Sequence, residues 1–416
     1  MQRNQVTTAG SDEAVEDEVL TAEGIGAEVV SDRAAAERYV AKVCFKTGPP
    51  SRVGAELEWI VHHDADPTRP VDPATLIAAL GDHAPPTLRP DSPHLPLPHG
   101  GVVTVEPGGQ VEISTPPRES LADLLSASAA DTHRLEALLS AAHLRLGDGA
   151  RDQRRPARRI LDTPRYAAME HAFDQVGGHG RVMMCATASV QVCLDIGAPE
   201  RARARWEAVH AIGPVLLAMF ANSRGGWASE RMRTWFGLDA SLAFAPPAEP
   251  DPAAAWARRA LDSPLICIRR DAGGWEAPPG VTFADWVAGA LPTKATYDDL
   301  DYHLSTLFPL VRPRGYLEVR YLDAQPRGES LVPVALVAAL FAAERTVDAA
   351  AEIGAGVAGR WVPAARDGLA DPALREAAFA LLELAGRALA DLDVGESMIT
   401  AVTDAVGRRL RQGAAE

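Results

Sequence analysis

Four short segments of the chain alternate apolar and polar residues with a period of two. VGAELEWIV sets Glu56 and Glu58 against Ala55, Leu57 and Trp59, and GGQVEIST sets Gln110, Glu112 and Ser114 against Val111 and Ile113. TASVQVCLDI sets Gln191, Cys193 and Asp195 against Val190, Val192 and Leu194. GYLEVRYLD sets Glu318 and Arg320 against Leu317, Val319 and Tyr321. Side chains two apart on a strand share a face, so each segment predicts a strand with one greasy side and one carboxylate-rich side. A half-solvated antiparallel sheet gives the same alternation. Here the polar set is narrow, mostly Glu, Gln, Asp and Arg, where a solvated face would be rich in Lys, Thr and Ser. Crowding these carboxylates on one sheet is costly without a counter-charge. A cation supplies it most simply, and oxygen donors with no His or Cys pattern favour Mg²⁺ over Zn²⁺.

The remaining pattern is mainly helical. Helices are predicted from an N-cap at Ser31 through residue 45, and over Glu119–Leu146, Pro164–Phe173, Pro199–Asn222, Phe283–Ala290, Tyr297–Leu307 and Pro333–Glu344. Asp371–Arg411 is helical almost throughout, Leu265–Arg269 reads as a short strand, and the Pro-rich residues 64–100 read as a long loop with a short helix at Thr75–Leu80. Strands and long helices mix without regular βαβ spacing, which predicts an α+β fold with a mainly antiparallel sheet. Residues 1–31 read as a disordered acidic tail, and residues 32–416 as one folded domain with a helical C-terminal region over about 371–411.

Composition narrows the function. A chain of 416 residues can bury a large core, and no apolar run approaches the roughly 20 residues needed to cross a bilayer. The first residues lack the apolar stretch of a secretory signal. Cys44, Cys185, Cys193 and Cys267 show no CxxC spacing and read as reduced thiols, so the expected location is cytoplasmic. The net charge of −15 argues against nucleic acid as a partner. Lysine occurs only at Lys42, Lys46 and Lys294, so an anionic ligand must be held mainly by arginine.

The runs GAELEW, EPGGQVEIST, TASVQVCLD, ANSRGGWASERMRTW, FADWVAGALP and HLSTLFPLVRPRGYLEVRYLD together span roughly residues 50–345. In these runs and their order the chain resembles plant-type glutamate–cysteine ligases, members of the glutamine-synthetase-like carboxylate–amine ligases. Its overall similarity is to the members that begin ergothioneine synthesis. The resemblance implies a glutamine-synthetase-like curved, mainly antiparallel sheet flanked by helices, forming one ligase catalytic domain. It implies ATP as a substrate and Mg²⁺ as cofactor, with phosphorylation of the γ-carboxylate of glutamate followed by attack of the cysteine amine. It further implies small-molecule substrates only, no membrane or nucleic-acid partner, and a monomer rather than an obligate oligomer.

Carried over by matching motif, Glu56, Glu58, Glu106, Glu112 and Gln191 would be metal ligands, Gln191 also reaching phosphate. Glu318 would bridge metals and Arg320 would contact the transferring phosphoryl group. Arg231 would grip the α-carboxylate of glutamate as a two-pronged fork, with Arg233 the lesser candidate and Asn222 beside the substrate. One departure is Cys193, where the family commonly has Asn; it bears on substrate fit, not on reaction class. Three other readings of the same residues stand beside this one: a ligase joining glutamate to another amine, a guanidino kinase-like phosphotransferase, and a non-catalytic nucleotide-binding protein.

Overall fold

The computed structural model describes residues 26–238 and 249–414. Its strands are β1 (Val53–Trp59), β2 (Val61–His63), β3 (Val102–Val105), β4 (Val111–Ser114), β5 (Leu144–Leu146), β6 (Ser189–Leu194), β7 (Val311–Pro313) and β8 (Leu317–Asp323). The four alternating segments become β1, β4, β6 and β8 of a single sheet with order β3-β4-β1-β6-β8-β7, while β2 and β5 pair separately. Every pairing in the large sheet is antiparallel. With helices packed along its apolar side, this is the expected α+β architecture.

The apolar face fixes the register. Leu57, Ile113, Val192, Val319 and Tyr321 are wholly buried. The helix Val332–Phe341, buried at all its positions, packs on β6, and the helix Gly213–Phe220 packs on β8. Each such side chain is worth about 1.5–3 kcal/mol when buried. A one-residue slip would turn the glutamates into this core, so the polar face is set as firmly as the core is.

Several boundaries differ from expectation for local reasons. The first helix runs Arg33–Cys44 and is capped by Asp32, not Ser31, because the Asp32 carboxylate accepts from Ala35 N at 2.8 Å. The long helix expected over Pro199–Asn222 is two helices, Pro199–Ala211 and Gly213–Phe220. Pro214 offers no N–H and its ring crowds the preceding turn, so the first helix cannot run through it. Leu265–Arg269 contributes a single isolated bridge, Cys267 to Glu276, with another just before it from Pro264 to Thr282. The C-terminal region is two helices, Pro372–Ala390 and Glu396–Gly413. Of the expected tail, residues 1–25 lie outside the described residues. Within residues 26–31, Val30 N donates to Ala295 O at 2.9 Å, and Asp298 N donates to Gly26 O at 2.8 Å.

Candidate active site

The polar face of the sheet is the floor of a cavity of about 530 Å³. Register places its side chains in rows. Glu58 stands directly opposite Glu112 across β1 and β4, and Glu56 opposite Gln191 across β1 and β6. Cys193 stands opposite Glu318, which in turn faces Arg312 on β7. Glu106 joins the row from the turn after β3. That turn is closed by Glu106 N to Gln110 O and Gly109 N to Glu106 O, both 2.8 Å. It needs glycine twice: Gly109 sits at φ +90, and a Cβ on Gly108 would lie 2.0 Å from the Cys185 carbonyl oxygen.

The floor is divided electrically. Glu106, Glu112, Glu56 and Glu58 line the half built by β3, β4 and β1, while Arg320, Arg312, Arg314 and Arg231 line the half nearest β8 and β7. On the acidic half the carboxylates oppose one another. Burial and the nearby charge of Glu318 push the Glu56 carboxyl up to about 7. Burial, then the charges of Glu56, Glu106 and Glu58, raise Glu112 well above its ordinary range. Its one hydrogen bond from a side chain comes from Ser114 Oγ at 2.6 Å.

On the basic half the groups are paired. Arg312 holds Glu318 with two bonds, Nε to Oε2 at 2.5 Å and Nη2 to Oε1 at 3.0 Å. Arg320 Nη1 donates to Glu318 Oε2 at 2.9 Å and to Gln191 Oε1 at 2.8 Å. Burial opposes the charge of Glu318, but the two guanidiniums outweigh it and hold the carboxyl down at about 2. Gln191 Nε2 passes the chain on to Glu58 Oε1 at 2.7 Å. Glu58 also accepts from Ser189 N at 2.8 Å and Ser189 Oγ at 2.7 Å. Arg320 Nε is buried and makes no hydrogen bond, an unpaired donor next to the cavity-lining guanidinium's bonded Nη1.

Arg231 lines the cavity and is 2% exposed. Its Nη2 donates to Arg320 O at 2.8 Å and its guanidinium lies over Trp235, 4.9 Å from the ring centroid. One prong of the expected fork is therefore spent on the backbone of β8, and the other, Nη1, donates to Met232 Sδ at 3.4 Å. Arg233 does not reach the cavity. Two positions on a helix point to different sides, and Arg233 is half-exposed, 3.4 Å from Glu230 and over Trp227. Asn222 is also elsewhere: its amide donates to Asp148 O at 2.7 Å and Ala324 O at 2.8 Å, bracing two loops. Gln191 lines the cavity and Glu318 is wholly buried; Gln191 Oε1 accepts from Arg320, and both Glu318 oxygens accept from guanidiniums. Arg312 was not foreseen. It sits on a three-residue strand ending in proline, too short to show a period, although the run VRPR does alternate.

The family model for glutamate–cysteine ligase family 2 matches residues 52–416. The chain belongs to this family. Glutamate–cysteine ligase EgtA of Mycolicibacterium smegmatis is 38% identical over 397 residues, 90% of this chain and 88% of that protein. The EgtA ligase of Mycobacterium tuberculosis is 36% identical over 86% of this chain and 84% of its own. The chloroplastic glutamate–cysteine ligase of Brassica juncea is 30% identical over 54% of this chain and 46% of its own.

For a member of glutamate–cysteine ligase family 2, the four carboxylates of β1, β3 and β4 suit a hard cation. They are oxygen donors alone, and two of them are held above their ordinary pKa range, Glu56 by burial and the charge of Glu318, Glu112 by burial and the charges of Glu56, Glu106 and Glu58, which a cation would relieve. As placed, they are spread along the floor: among the described residues no three Asp, Glu, His or Cys side chains close around one point. The oxygen-only donor chemistry of Glu56, Glu58, Glu106 and Glu112 fits Mg²⁺, while the oxygens of Gln191 and Glu318 accept from Arg320 and Arg312.

Proposed function

We propose that this chain is an ATP-dependent glutamate–cysteine ligase, releasing ADP and phosphate and forming γ-glutamylcysteine, and that it serves ergothioneine synthesis. The observation that carries the reading is the divided floor, carboxylates on one half and arginines on the other, in a chain of glutamate–cysteine ligase family 2. The ATP phosphates, the donor's two carboxylates and the transferring phosphoryl group are all anionic. Mg²⁺, held by Glu56, Glu58, Glu106 and Glu112, would neutralise phosphate charge from the acidic side. Arg320, with its unspent Nε, faces the phosphoryl group from the other side. Glu318 pins Arg320 and Arg312 in place, so no reorganisation is needed as charge develops. Arg231 would hold the α-carboxylate of glutamate through Nη1, exchanging its long contact with Met232 Sδ for a carboxylate oxygen.

The terminal phosphoryl group leaves the ADP oxygen and bonds to a γ-carboxylate oxygen of glutamate. The cysteine amine then attacks the acyl carbon, loses a proton, and phosphate departs with the acyl oxygen. Among the described residues no helix is long and apolar enough to cross a membrane. The reading adds a cytoplasmic location and a monomer that meets only small molecules. The test is product analysis from ATP, Mg²⁺, glutamate and a pool of amino acids. One ADP and one phosphate per γ-glutamylcysteine is expected. AMP with pyrophosphate would overturn the acyl-phosphate route, and preference for another amine would overturn the acceptor.

A further inference from the structure

Asp323, at the end of β8, is wholly buried and faces the loop and helix that carry Arg231. Its Oδ2 accepts from Asn222 N at 2.9 Å and Ser223 Oγ at 2.7 Å, and its Oδ1 accepts from Ser229 Oγ at 2.9 Å. Arg231 Nη1 is 3.8 Å from Oδ1. Each serine hydroxyl has one proton, and each gives it to Asp323. That leaves both oxygens as acceptors, and both are used by the first turn of the helix Glu230–Phe236. Ser223 Oγ accepts from Arg231 N at 3.0 Å, and Ser229 Oγ from Met232 N at 3.1 Å. The carboxylate thus orients two hydroxyls that in turn seat the Arg231 main chain, while its charge faces the Arg231 guanidinium.

The position of Asp323 depends on an irregularity. β6 and β8 pair Val192 with Val319 and Val190 with Leu322, so Arg320 and Tyr321 together oppose Gln191. The extra residue inverts the alternation beyond it. Without it, Asp323 would follow Val319 and Tyr321 towards the apolar core; with it, Asp323 pairs with Ser189, on the polar side. One bulged strand therefore carries both Arg320, aimed at Gln191, and the carboxylate that seats Arg231.

We infer that Asp323 is a positioning residue that fixes Arg231 relative to Arg320, and so sets the span between the α-carboxylate anchor and the point where the donor's side-chain carboxylate meets the phosphoryl group held by Arg320. This rests on the reading of Arg231 as the α-carboxylate anchor. A donor with two carboxylates is then selected by length: a shorter or longer acidic amino acid anchored at Arg231 does not bring its side-chain carboxylate to the phosphoryl group at Arg320.

The test is steady-state kinetics on the full chain with glutamate, cysteine and MgATP varied in turn, for Asp323→Asn, Ser223→Ala, Arg231→Lys and the double variant Asp323→Asn with Arg231→Lys. Asn keeps the shape but presents an NH₂ where a serine proton must go, and Ser223→Ala cuts the tie to Arg231 N and one of the hydrogen bonds to Asp323 while keeping the carboxylate itself. Both should raise the glutamate KM, by about tenfold or more for Asp323→Asn, while the ATP KM moves by about twofold or less. Both should narrow the preference for glutamate over aspartate and α-aminoadipate. The double variant should show much less than the product of the two single effects. If Asp323→Asn does not fold, Ser223→Ala decides. An unchanged glutamate KM in the folded variants, or equal rises for all three substrates, overturns the inference. With Arg231→Lys raising the glutamate KM, that result leaves the Arg231 reading standing; an unaltered Arg231→Lys enzyme removes both.

Discussion

The charge frustration on the acidic half of the floor can be measured without substrate. Replacing Glu56 by Gln, which mimics the protonated carboxyl, should flatten the pH dependence of stability in protein stripped of metal by EDTA. The folded state raises Glu56 from an ordinary 4.5 to about 7, so the native protein binds its proton more tightly than the unfolded chain does. That stabilisation is fully present below 4.5 and is lost as pH rises through 7, so stability should fall with rising pH across this window. The difference is worth about 3 kcal/mol, at about 1.4 kcal/mol per tenfold in proton affinity. Glu56 keeps some access to cavity water, so about 1–3 kcal/mol is expected between wild type and variant. With an unfolding entropy of about 2 cal/mol/K per residue over about 400 residues, this is about 1–4 °C in Tm. Thermal unfolding followed by tryptophan fluorescence from pH 5 to pH 8 reads it directly. Wild type should lose Tm relative to Glu56→Gln as pH rises, and Mg²⁺ should restore part of the loss. Parallel pH profiles for the two proteins, or a wild type that gains on the variant at high pH, would refute the reasoning.

Arg312→Ala should lower both turnover and stability, because Glu318 would remain buried with Arg320 as its sole cationic neighbour of the clamp; a loss of about 3 kcal/mol is expected, with Arg312→Lys intermediate. Normal Tm and turnover in Arg312→Ala would show the clamp to be dispensable. Cys193 lines the cavity, yet burial and then the charges of Glu56 and Glu318 raise its thiol well above the ordinary range, so it is a poor nucleophile. Cys193→Ala and Cys193→Asn should keep turnover within about tenfold of wild type, and iodoacetamide should label this residue slowly at pH 8; a trapped γ-glutamyl adduct on it would require a different mechanism.

What the sequence revealed follows from how many residues repeat a physical period. β1, β6 and β8 are long enough for a buried row and a polar row to declare themselves, and β4, though shorter, completes the pattern. Glu56, Glu58, Glu112, Gln191 and Arg320 accordingly line the cavity, and Glu318 lies on the same face of the sheet, buried and bonded to Arg320. β7 is three residues long and ends in Pro313, so the arginine that clamps Glu318 had no pattern to stand out from. Asn222 and Arg233 were placed by membership of one run of sequence, which does not specify direction. The chain leaves the helix at Phe220, and the next helix begins only at Glu230, so side chains between them are aimed by loop contacts that no periodicity encodes. Pro214 is the signal in the sequence for the broken helix, which runs as Pro199–Ala211 and Gly213–Phe220.

The bulge in β8 shows why the parity of a strand cannot be extrapolated to its end. Alternation correctly assigns Leu317, Glu318, Val319 and Arg320, and would bury Asp323 among apolar neighbours, a costly place for a carboxylate. An acidic residue at an apolar position is itself a signal that the register changes before it. In this chain the change falls between two groups that must cooperate. Arg320 lies just before the shift is complete and Asp323 just after it, so a single strand aims one side chain at the Glu318–Gln191 network and another at the seat of Arg231. Removing the extra residue, by deleting Tyr321, would return Asp323 to the core side and separate the two functions at once. Point substitutions at Asp323 or Ser223 should instead loosen only the Arg231 side, leaving the bonds among Arg320, Glu318 and Gln191 intact.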